Sequence, residues 1–327
     1  MIRTVPFRHL LAGIAGLAIA ASASAQEFPT KPLRMLISYP AATGPDLIGR
    51  PIAAAMGKAL GQPVVVENKS GGGGVPAIQD LKNSAADGHT MFLADQSHWA
   101  ILPSVQDNVP YDPIRDFAPI GMIYSNVLFY VVPAGSSIKT LKDVIAASKA
   151  NPGSIRYGVT GVGGIMHLTG EAFAFSAGIK MTVVPFRATA EAIQAILSGD
   201  LDMAVAGMNP LVAGSLQSGK IRNIATGGPT RDKYMPDIPT VNESAGINGY
   251  NYQADIGLLA LTGIPRPVMD KLVKALAAAQ KDSAYHDALK KLEYNAVSMS
   301  PEEFGAKIKA DLEKFRAVAK AGNIKVQ

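Results

Sequence analysis

Short apolar runs alternate with longer stretches of helical spacing along the first part of this chain. Residues 33–38 and 64–66 are apolar runs of strand length, and residues 47–60 between them repeat apolar positions at helical intervals. A Gly-Gln-Pro turn at 61–63 separates the predicted helix from the second strand. The same alternation continues to a third strand at 91–94. Strands that alternate with helices predict an α/β fold with parallel neighbours in an open sheet.

The middle third of the chain repeats this alternation and is long enough for a hydrophobic core of its own. Its predicted strands are 127–132, 155–159, 181–184, 201–206 and 221–225, and its predicted helices are 141–150, 166–178, 190–198 and 211–218. After a Gly-Gly-Pro turn at 227–229, a strand at 256–261 and helices that begin at Pro267 and Pro301 return the chain to the first core. We expect residues 26–125 with 227–327 to form one lobe and residues 126–226 to form the other. Two crossovers, near Ser125-Asn126 and at 226–228, would join the lobes.

The segment 1–25 has the pattern of a cleavable secretory signal peptide. Arg3 and Arg8 give a positive amino-terminal region, the stretch 10–21 is apolar, and Ala-Ser-Ala at 23–25 offers the small residues that a signal peptidase requires. The apolar run is shorter than the roughly 20 residues that span a bilayer. We therefore expect cleavage before Gln26 and a soluble mature protein in the periplasm.

Charge, cysteine content and missing motifs exclude several function classes. The formal net charge is +5, and 5 − 2 leaves +3 without the two signal arginines, which is too mild to indicate nucleic acid as a partner. The sequence contains no cysteine, which excludes a lipidated cysteine, a disulfide framework and a thiolate metal site. It also has no Walker loop, Gly-x-Ser-x-Gly elbow or His-Glu-x-x-His pair, and its five histidines lack metal-ligand spacing. We expect no enzymatic activity, no metal, no cofactor and a monomer.

Three loops beyond the carboxyl ends of predicted strands carry the candidate chemistry. They are residues 39–46, 67–74 and 94–101, and each leads into a helix. Glycine-rich turns at helix starts expose backbone N–H groups that bind a carboxylate without a dedicated cation. A lone glycine run such as 71–74 is explained by chain reversal alone, but three such loops on successive strands favour a ligand site.

Ten short segments, in chain order, resemble the Bug-type substrate-binding proteins of tripartite tricarboxylate transporters. They are FPTKP at 28–32, LGQPVVVENK at 60–69, ADG at 86–88, YDPIRDFAPI at 111–120, NPG at 151–153, YG at 157–158, HLTGE at 167–171, SGDLD at 198–202, GKIR at 219–222 and PDIPTV at 236–241. The resemblance implies a type II periplasmic binding protein fold, with two lobes of open, mostly parallel sheets joined by two crossover segments. It also implies a cleft that closes around a small organic carboxylate and membrane transporter subunits as partners.

The resemblance assigns candidate ligand residues to two loops and one short element. The first loop gives Tyr39, Ala42, Thr43, Gly44 and Asp46, and the second gives Thr160, Gly161, Gly163 and Gly164. The short element is Phe186-Arg187-Ala188, in which Arg187 either grips a second carboxylate or faces solvent.

Three further candidates come from their positions in the predicted elements. Ser97 and His98 follow the third predicted strand. His167 lies one turn into a predicted helix, where a packed or capping role is the alternative.

The chain departs from the family pattern at several of these positions. Ala42 and Thr43 stand where glycines are usual, Gly164 where a Ser or Thr hydroxyl is common, and Ala206-Gly207 where an acidic residue is frequent. Backbone donors survive such changes and side-chain contacts do not, so the identity of the solute is not inherited. A component that presents its solute to a sensor kinase and an enzyme on the same fold remain alternatives to transport, and a scaffold role would leave the glycine loops without a purpose.

Overall fold

The protein is described by a computed structural model over residues 28–186 and 188–326. The strands are β1 (Leu33–Ile37), β2 (Val64–Asn68), β3 (Thr90–Asp95), β4 (Phe117–Pro133), β5 (Arg156–Thr160), β6 (Thr182–Phe186), β7 (Met203–Gly207), β8 (Ile221–Thr226), β9 (Gln253–Leu261) and β10 (Asn295–Ala296). The helices are α1 (Gly44–Leu60), α2 (Val75–Asn83), α3 (Leu102–Val105), α4 (Leu141–Ala150), α5 (Ile165–Ala177), α6 (Thr189–Ser198), α7 (Pro210–Gln217), α8 (Val241–Ala245), α9 (Arg266–Ala279), α10 (Ser283–Leu292) and α11 (Pro301–Ala321). A 3-10 turn (Gly72–Gly74) precedes α2, and a π turn (Ser97–Ile101) precedes α3.

The sheet of the first lobe has the order β2-β1-β3-β9-β4, with β10 also on β4. Strands β2, β1 and β3 are parallel, whereas β9 runs antiparallel to both β3 and β4. Leu33, Met35, Leu36 and Ile37 of β1 are fully buried because helices cover both faces of this central strand. That burial explains why β1 is a continuous apolar run in the sequence.

The sheet of the second lobe repeats the plan with β6, β5 and β7 in parallel and β4 antiparallel to β7 and β8. Strand β4 belongs to both sheets. Through Val127 it pairs with β9, and from Leu128 it pairs with β7. The predicted two-lobed α/β fold is confirmed, with the parallel strands at the outer part of each sheet and antiparallel strands along the junction of the lobes.

The segment between β8 and β9 packs on the second lobe, although we expected residues 227–327 in the first. Helix α8 contacts α4 and β8, and the backbone N–H of Leu141 donates to Ser244 Oγ at 3.1 Å. Tyr250 donates its hydroxyl to the Thr169 carbonyl at 2.8 Å. The predicted lobe boundaries stay a prediction, and these contacts favour a return to the first lobe at the start of β9.

Helix α11 packs on β4 and on the π turn, and it also reaches α5 of the second lobe. The residues after it continue toward the cleft, where the N–H of Val326 donates to the Val105 carbonyl at 2.9 Å. Among the helices that the structure describes, none combines the length and the apolar character that crossing a membrane would require.

Candidate functional site

A cavity of about 640 Å³ lies between the two lobes. The first lobe contributes the loops that follow β1, β2 and β3, and the second lobe contributes the loop that follows β5. The lining residues are Ser38, Tyr39, Pro40, Ser70, Gly71, Gly73, Gly74, Ser97, His98, Ile101, Leu102, Val105, Gln106, Val162, Gly163, Gly164 and Val326. The volume suits a small organic molecule.

The glycine run 71–74 is required by backbone geometry and by one close contact. All four glycines have positive φ, between 53° and 100°. A Cβ built on Gly74 would lie only 2.3 Å from Nε2 of His98, so no larger residue fits there without displacing the histidine. The run therefore does more than reverse the chain, because it lets the backbone approach His98 at the edge of the cavity.

His98 is the centre of a buried polar cluster in the first lobe. Its side chain is almost fully buried, and Nε2 lies 2.9 Å from Ser38 Oγ. Nδ1 lies 2.9 Å from Asp95 Oδ1 and 3.1 Å from the Asp95 backbone nitrogen. Tyr39 donates its hydroxyl to the same carboxylate. Burial raises the pKa of Asp95, but the contacts with His98 and Tyr39 hold it below its ordinary value, so this carboxylate stays charged.

The first loop places only Tyr39 of its predicted ligand residues at the cavity. The buried Asp46 carboxylate accepts hydrogen bonds from Ala42 N–H (2.9 Å), Arg50 Nε (3.0 Å) and Asn68 Nδ2 (2.9 Å). Thr43 Oγ1 donates to the Pro40 carbonyl at 2.7 Å. Asp46 and Thr43 therefore hold the shape of the loop, and Ala42, Thr43, Gly44 and Asp46 do not line the cavity in this structure.

Burial alone would raise the pKa of Asp46. The hydrogen bonds from Arg50, the Ala42 backbone and Asn68 outweigh it and hold the pKa below its ordinary value. Ala42 itself has a positive φ, in the left-handed region that glycine favours. The bond from its N–H to Asp46 stabilises this conformation.

The second loop brings Gly163 and Gly164 to the cavity, while Thr160 and Gly161 lie outside the lining. Three of its backbone donors are used within the second lobe: Gly161 N–H bonds to Phe186 O (3.3 Å), Gly163 N–H to His167 Nδ1 (3.0 Å) and Gly164 N–H to Gly161 O (3.3 Å). Helix α5 begins directly after Gly164, and the first N–H groups of a helix have no partner within it.

His167 caps the second loop and lies outside the lining of the interlobe cavity. Burial lowers its pKa, against an opposing effect of Glu171, and this favours the neutral ring whose Nδ1 accepts from Gly163. Arg187, the other predicted cation, lies outside the described residues. Ser97 lines the cavity as expected.

Sequence reasoning missed the apolar part of the lining. Ile101, Leu102 and Val105 follow the predicted third loop, but their apolar character is equally typical of a core helix. No sequence pattern indicated that Val326 lines the cavity, because the residues beside it there are remote in sequence. Over the described ranges, no three His, Asp or Glu side chains are grouped so as to hold a metal ion.

Comparison with known proteins identifies the family. The protein-family model TctC, described as "Tripartite tricarboxylate transporter family receptor", matches residues 48–324 of this chain. A Cupriavidus necator relative, "UPF0065 protein in gbd 5'region", is 34% identical over 98% of this chain and 99% of its own. The structure of "periplasmic binding protein BugD" has a TM-score of 0.73 at 28% identity, covering 92% of this chain and 100% of that chain. An R. palustris protein solved with adipate has a TM-score of 0.75 at 25% identity, covering 91% and 99%.

The family model matches well over half of the chain, and the fold carries an interlobe cavity at the loops where the sequence predicts a ligand site. This chain belongs to the tripartite tricarboxylate transporter receptor family, TctC.

Proposed function

We propose that the chain is an extracytoplasmic solute-binding protein that captures a small organic carboxylate in the interlobe cleft and closes on it for a transporter of the tripartite tricarboxylate type. The observation that carries the proposal is the cavity between the lobes, whose lining comes from loops at the carboxyl ends of four strands and includes five glycines. A family relative solved with adipate supports a carboxylate as the ligand. Reversible binding of this kind requires no catalytic group.

Backbone N–H groups at the start of α5 are the proposed anion donors. Helix α5 begins after Gly164, which lines the cavity. Helix α2 begins after Gly74 but offers fewer donors, because the Val75 N–H already bonds to the Gly72 carbonyl and Pro76 has no N–H. The first N–H groups of a helix have no partner within the helix, and the helix dipole favours negative charge there. Charge-assisted hydrogen bonds contribute about 1.5–3 kcal/mol each, which helps to offset the loss of translational and rotational freedom on binding.

Closure is proposed to occur by rotation of the lobes about β4 and the residues beside it. Strand β4 passes from one sheet to the other between Val127 and Leu128. Gly227 lies at the same junction, donating to the Leu128 carbonyl and accepting from Tyr252 N–H, both at 2.8 Å. A solute that contacts both lobes binds the closed form more tightly than the open form and therefore stabilises the closed form.

A ligand screen tests the proposal directly. Thermal unfolding would be followed with carboxylates of different length, including adipate, and with adipamide as the uncharged control. A carboxylate that binds the folded state raises its stability by RT ln(1 + [L]/Kd), and adipamide should not. Absence of stabilisation by every carboxylate, or equal stabilisation by the amide, would contradict the proposal.

The periplasmic location is proposed from the signal-like residues 1–25, which lie outside the described residues, and from the relative described as periplasmic. Mass spectrometry of osmotic-shock fluid should find a mature chain that begins at Gln26. Recovery only in the membrane fraction with Met1 intact would contradict it.

Presentation of the solute to a sensor kinase is the alternative use of the same closed form. Removing the protein from its host should abolish uptake of radiolabelled solute if it serves a transporter. Normal uptake with loss of a solute-induced transcriptional response would favour the sensor role.

An enzyme on this scaffold is a second candidate because Ser38, His98 and Asp95 lie in the order of a hydrolytic triad. The Asp95 backbone N–H, however, also points at His98 Nδ1. A proton on Nδ1 would donate to the Asp95 carboxylate and leave Nε2 to accept from Ser38, as a triad requires, whereas a proton on Nε2 would donate to Ser38. Equal hydrolysis of p-nitrophenyl acetate by the wild type and by Ser38→Ala would support binding alone. A rate lost specifically in Ser38→Ala would establish a hydrolase.

A further inference from the structure

The carboxyl-terminal tail, which we define as residues 322–326, runs from the end of α11 along α5 to the interlobe cavity. At the start of the tail, a Cβ built on Gly322 would lie 3.2 Å from Glu171 Oε2 of α5. The N–H of Ile324 donates to the Ala319 carbonyl at 2.8 Å, and the Ile324 side chain is buried. The tail is therefore packed against the protein before it reaches the cavity.

Val326 is held in the cavity by contacts with both lobes. Its N–H donates to the Val105 carbonyl of the first lobe at 2.9 Å. On the second lobe, its Cγ2 lies 2.3 Å from the place that a Cβ on Gly163 would occupy, and Val105 Cγ2 lies 3.5 Å from the same place. The preceding Lys325 pairs with Asp107 of the first lobe at 2.8 Å. Three separate segments of the chain therefore meet at Val326, and their contacts fix its side chain in the lining.

A second cavity, of about 780 Å³, adjoins the tail. Residues 321–325 line it, together with side chains of α5 and β6 that include Glu171, Phe175 and Val183. Val162, at the tip of the second-lobe loop, lines both cavities. The tail therefore separates the interlobe cavity from a second space of comparable size.

We propose that Val326 sets the length of the solute that the interlobe cavity accepts, by closing the side of the cavity that faces this second space. The inference rests on the proposed function, because it assumes that a carboxylate is held at the start of α5. Val326 contacts Gly163, which directly precedes Gly164 at the start of that helix, so it lies beside the proposed anion position. A packed side chain yields little, so a solute that is too long collides with Val326, whereas one that fits buries apolar surface against it.

Linear dicarboxylates from succinate to sebacate test the inference, because they differ only in the number of methylene groups between the carboxylates. Isothermal titration of the mature protein would give the affinity for each acid. Val326→Ala opens space and should shift the preferred acid to a longer chain, raising the affinity for suberate relative to adipate about fourfold, close to the effect of one buried methylene group. Val326→Phe fills space and should shift the preference to a shorter chain. Val65→Ala is the matched control, because Val65 is 48% exposed on β2 and does not line the cavity.

The outcomes separate the inference from the proposed function. An unchanged length preference in Val326→Ala, or the same shift in Val65→Ala, would overturn the inference. Equal weakening of every dicarboxylate by Val326→Ala would also overturn it, because a residue that sets length discriminates between the acids. If no dicarboxylate binds the wild type or the variants, the inference fails, while any other carboxylate that stabilises the protein in the thermal screen still supports the proposed function. Circular dichroism of each variant confirms that it is folded.

Discussion

At the scale of single residues, Asp46 shows how a loop beside a ligand cavity is held in place by a side chain that does not reach the cavity. Its carboxylate is buried at 2% exposure and joins the Ala42 backbone, Arg50 and Asn68. A carboxylate after a strand is equally typical of a ligand residue and of a loop clamp. Only the positions of its partners distinguish the two.

We predict that Asp46→Asn lowers the free energy of unfolding by about 2 kcal/mol at pH 7, because it weakens charge-assisted bonds and places an amide donor beside other donors. The pKa of Asp46 lies below its ordinary value of 3.8. Its stabilisation is therefore fully present above that pH and is lost as the pH falls through the folded-state pKa. The difference between wild type and variant should be constant near neutrality and shrink below about pH 4.

Urea unfolding at a series of pH values measures this difference. Asp270→Asn is the control, because the Asp270 side chain is 54% exposed and pairs with the exposed Arg266. An exposed pair of this kind contributes little, so the control should change stability by less than about 0.5 kcal/mol. A pH-independent difference for Asp46→Asn would contradict the assigned cause.

Gly74 illustrates a second effect at the residue scale, the close approach of backbone to side chain. We predict that Gly74→Ala destabilises the protein and weakens solute binding, because the new methyl group would collide with His98. Gly61→Ala is a matched control with a similar left-handed conformation, φ 73° against 85°, and open space around its Cβ position. Its free energy of unfolding should fall only by the roughly 1–2 kcal/mol that alanine costs in a left-handed conformation, and its affinity for the solute should be unchanged. Thermal unfolding and calorimetric titration of both variants measure these effects, and equal losses would show that contact with His98 is unimportant.

At the scale of elements, α11 is tied to the junction of the lobes by a buried ionic cluster. Lys307 Nζ lies 2.7 Å from Asp255 of β9 and 3.1 Å from Asp311 on the next turn of its own helix. Asp311 also accepts from Trp99 Nε1 at 3.1 Å, and Ser125 of β4 donates to Asp255. Burial lowers the pKa of Lys307, but the two carboxylates raise it above its ordinary value overall, so the ammonium group stays charged.

We predict that Lys307→Met costs about 3 kcal/mol of stability, because it leaves the buried Asp255 carboxylate without its cation, while Asp311 keeps Lys314 at 3.2 Å. Lys309 occupies an exposed position of the same helix. Lys309→Met should therefore stay within about 0.5 kcal/mol of the wild type. Denaturant unfolding of both variants provides the comparison. Similar midpoints for the two would mean that the cluster contributes little to the fold.

At the scale of the whole molecule, the two sheets share one strand, β4. The longest strand, β4, changes partners within one residue step, and Gly227 packs so closely there that a Cβ would lie 2.2 Å from the Tyr252 carbonyl oxygen. Rotation of one lobe against the other about this part of β4 is the motion proposed for closure.

We predict that a bound solute lowers the radius of gyration measured by small-angle X-ray scattering. The proposed closure would bring the second-lobe loop at Gly163 and Gly164 toward the loops of the first lobe and exclude water between them. The control is the same protein with an equal concentration of a carboxylate that gave no thermal stabilisation. An unchanged radius at saturating solute would contradict closure as the response to binding.

The sequence by itself determined the alternation of strands and helices, the two-lobed α/β fold and three of the loops at which the cavity forms. It did not predict α8, α10 or β10, and the loop at 160–164 was assigned by family resemblance. Hydrophobic periodicity and turn residues are local signals, and carboxyl ends of neighbouring parallel strands necessarily share an edge. Family resemblance added the class of binding protein. Arg187 and the signal segment lie outside the described residues, so their predicted roles stay predictions.

Tertiary structure alone decided which side chains meet. In the folded chain the Asp46 carboxylate bonds to its own loop, the Gly163 N–H donates to His167, and Val326 packs against Gly163. It also decided that β4 extends from one sheet into the other. Such contacts depend on the relative placement of distant elements, which no local pattern encodes, because the same residue types satisfy several packings until the whole chain fixes one of them.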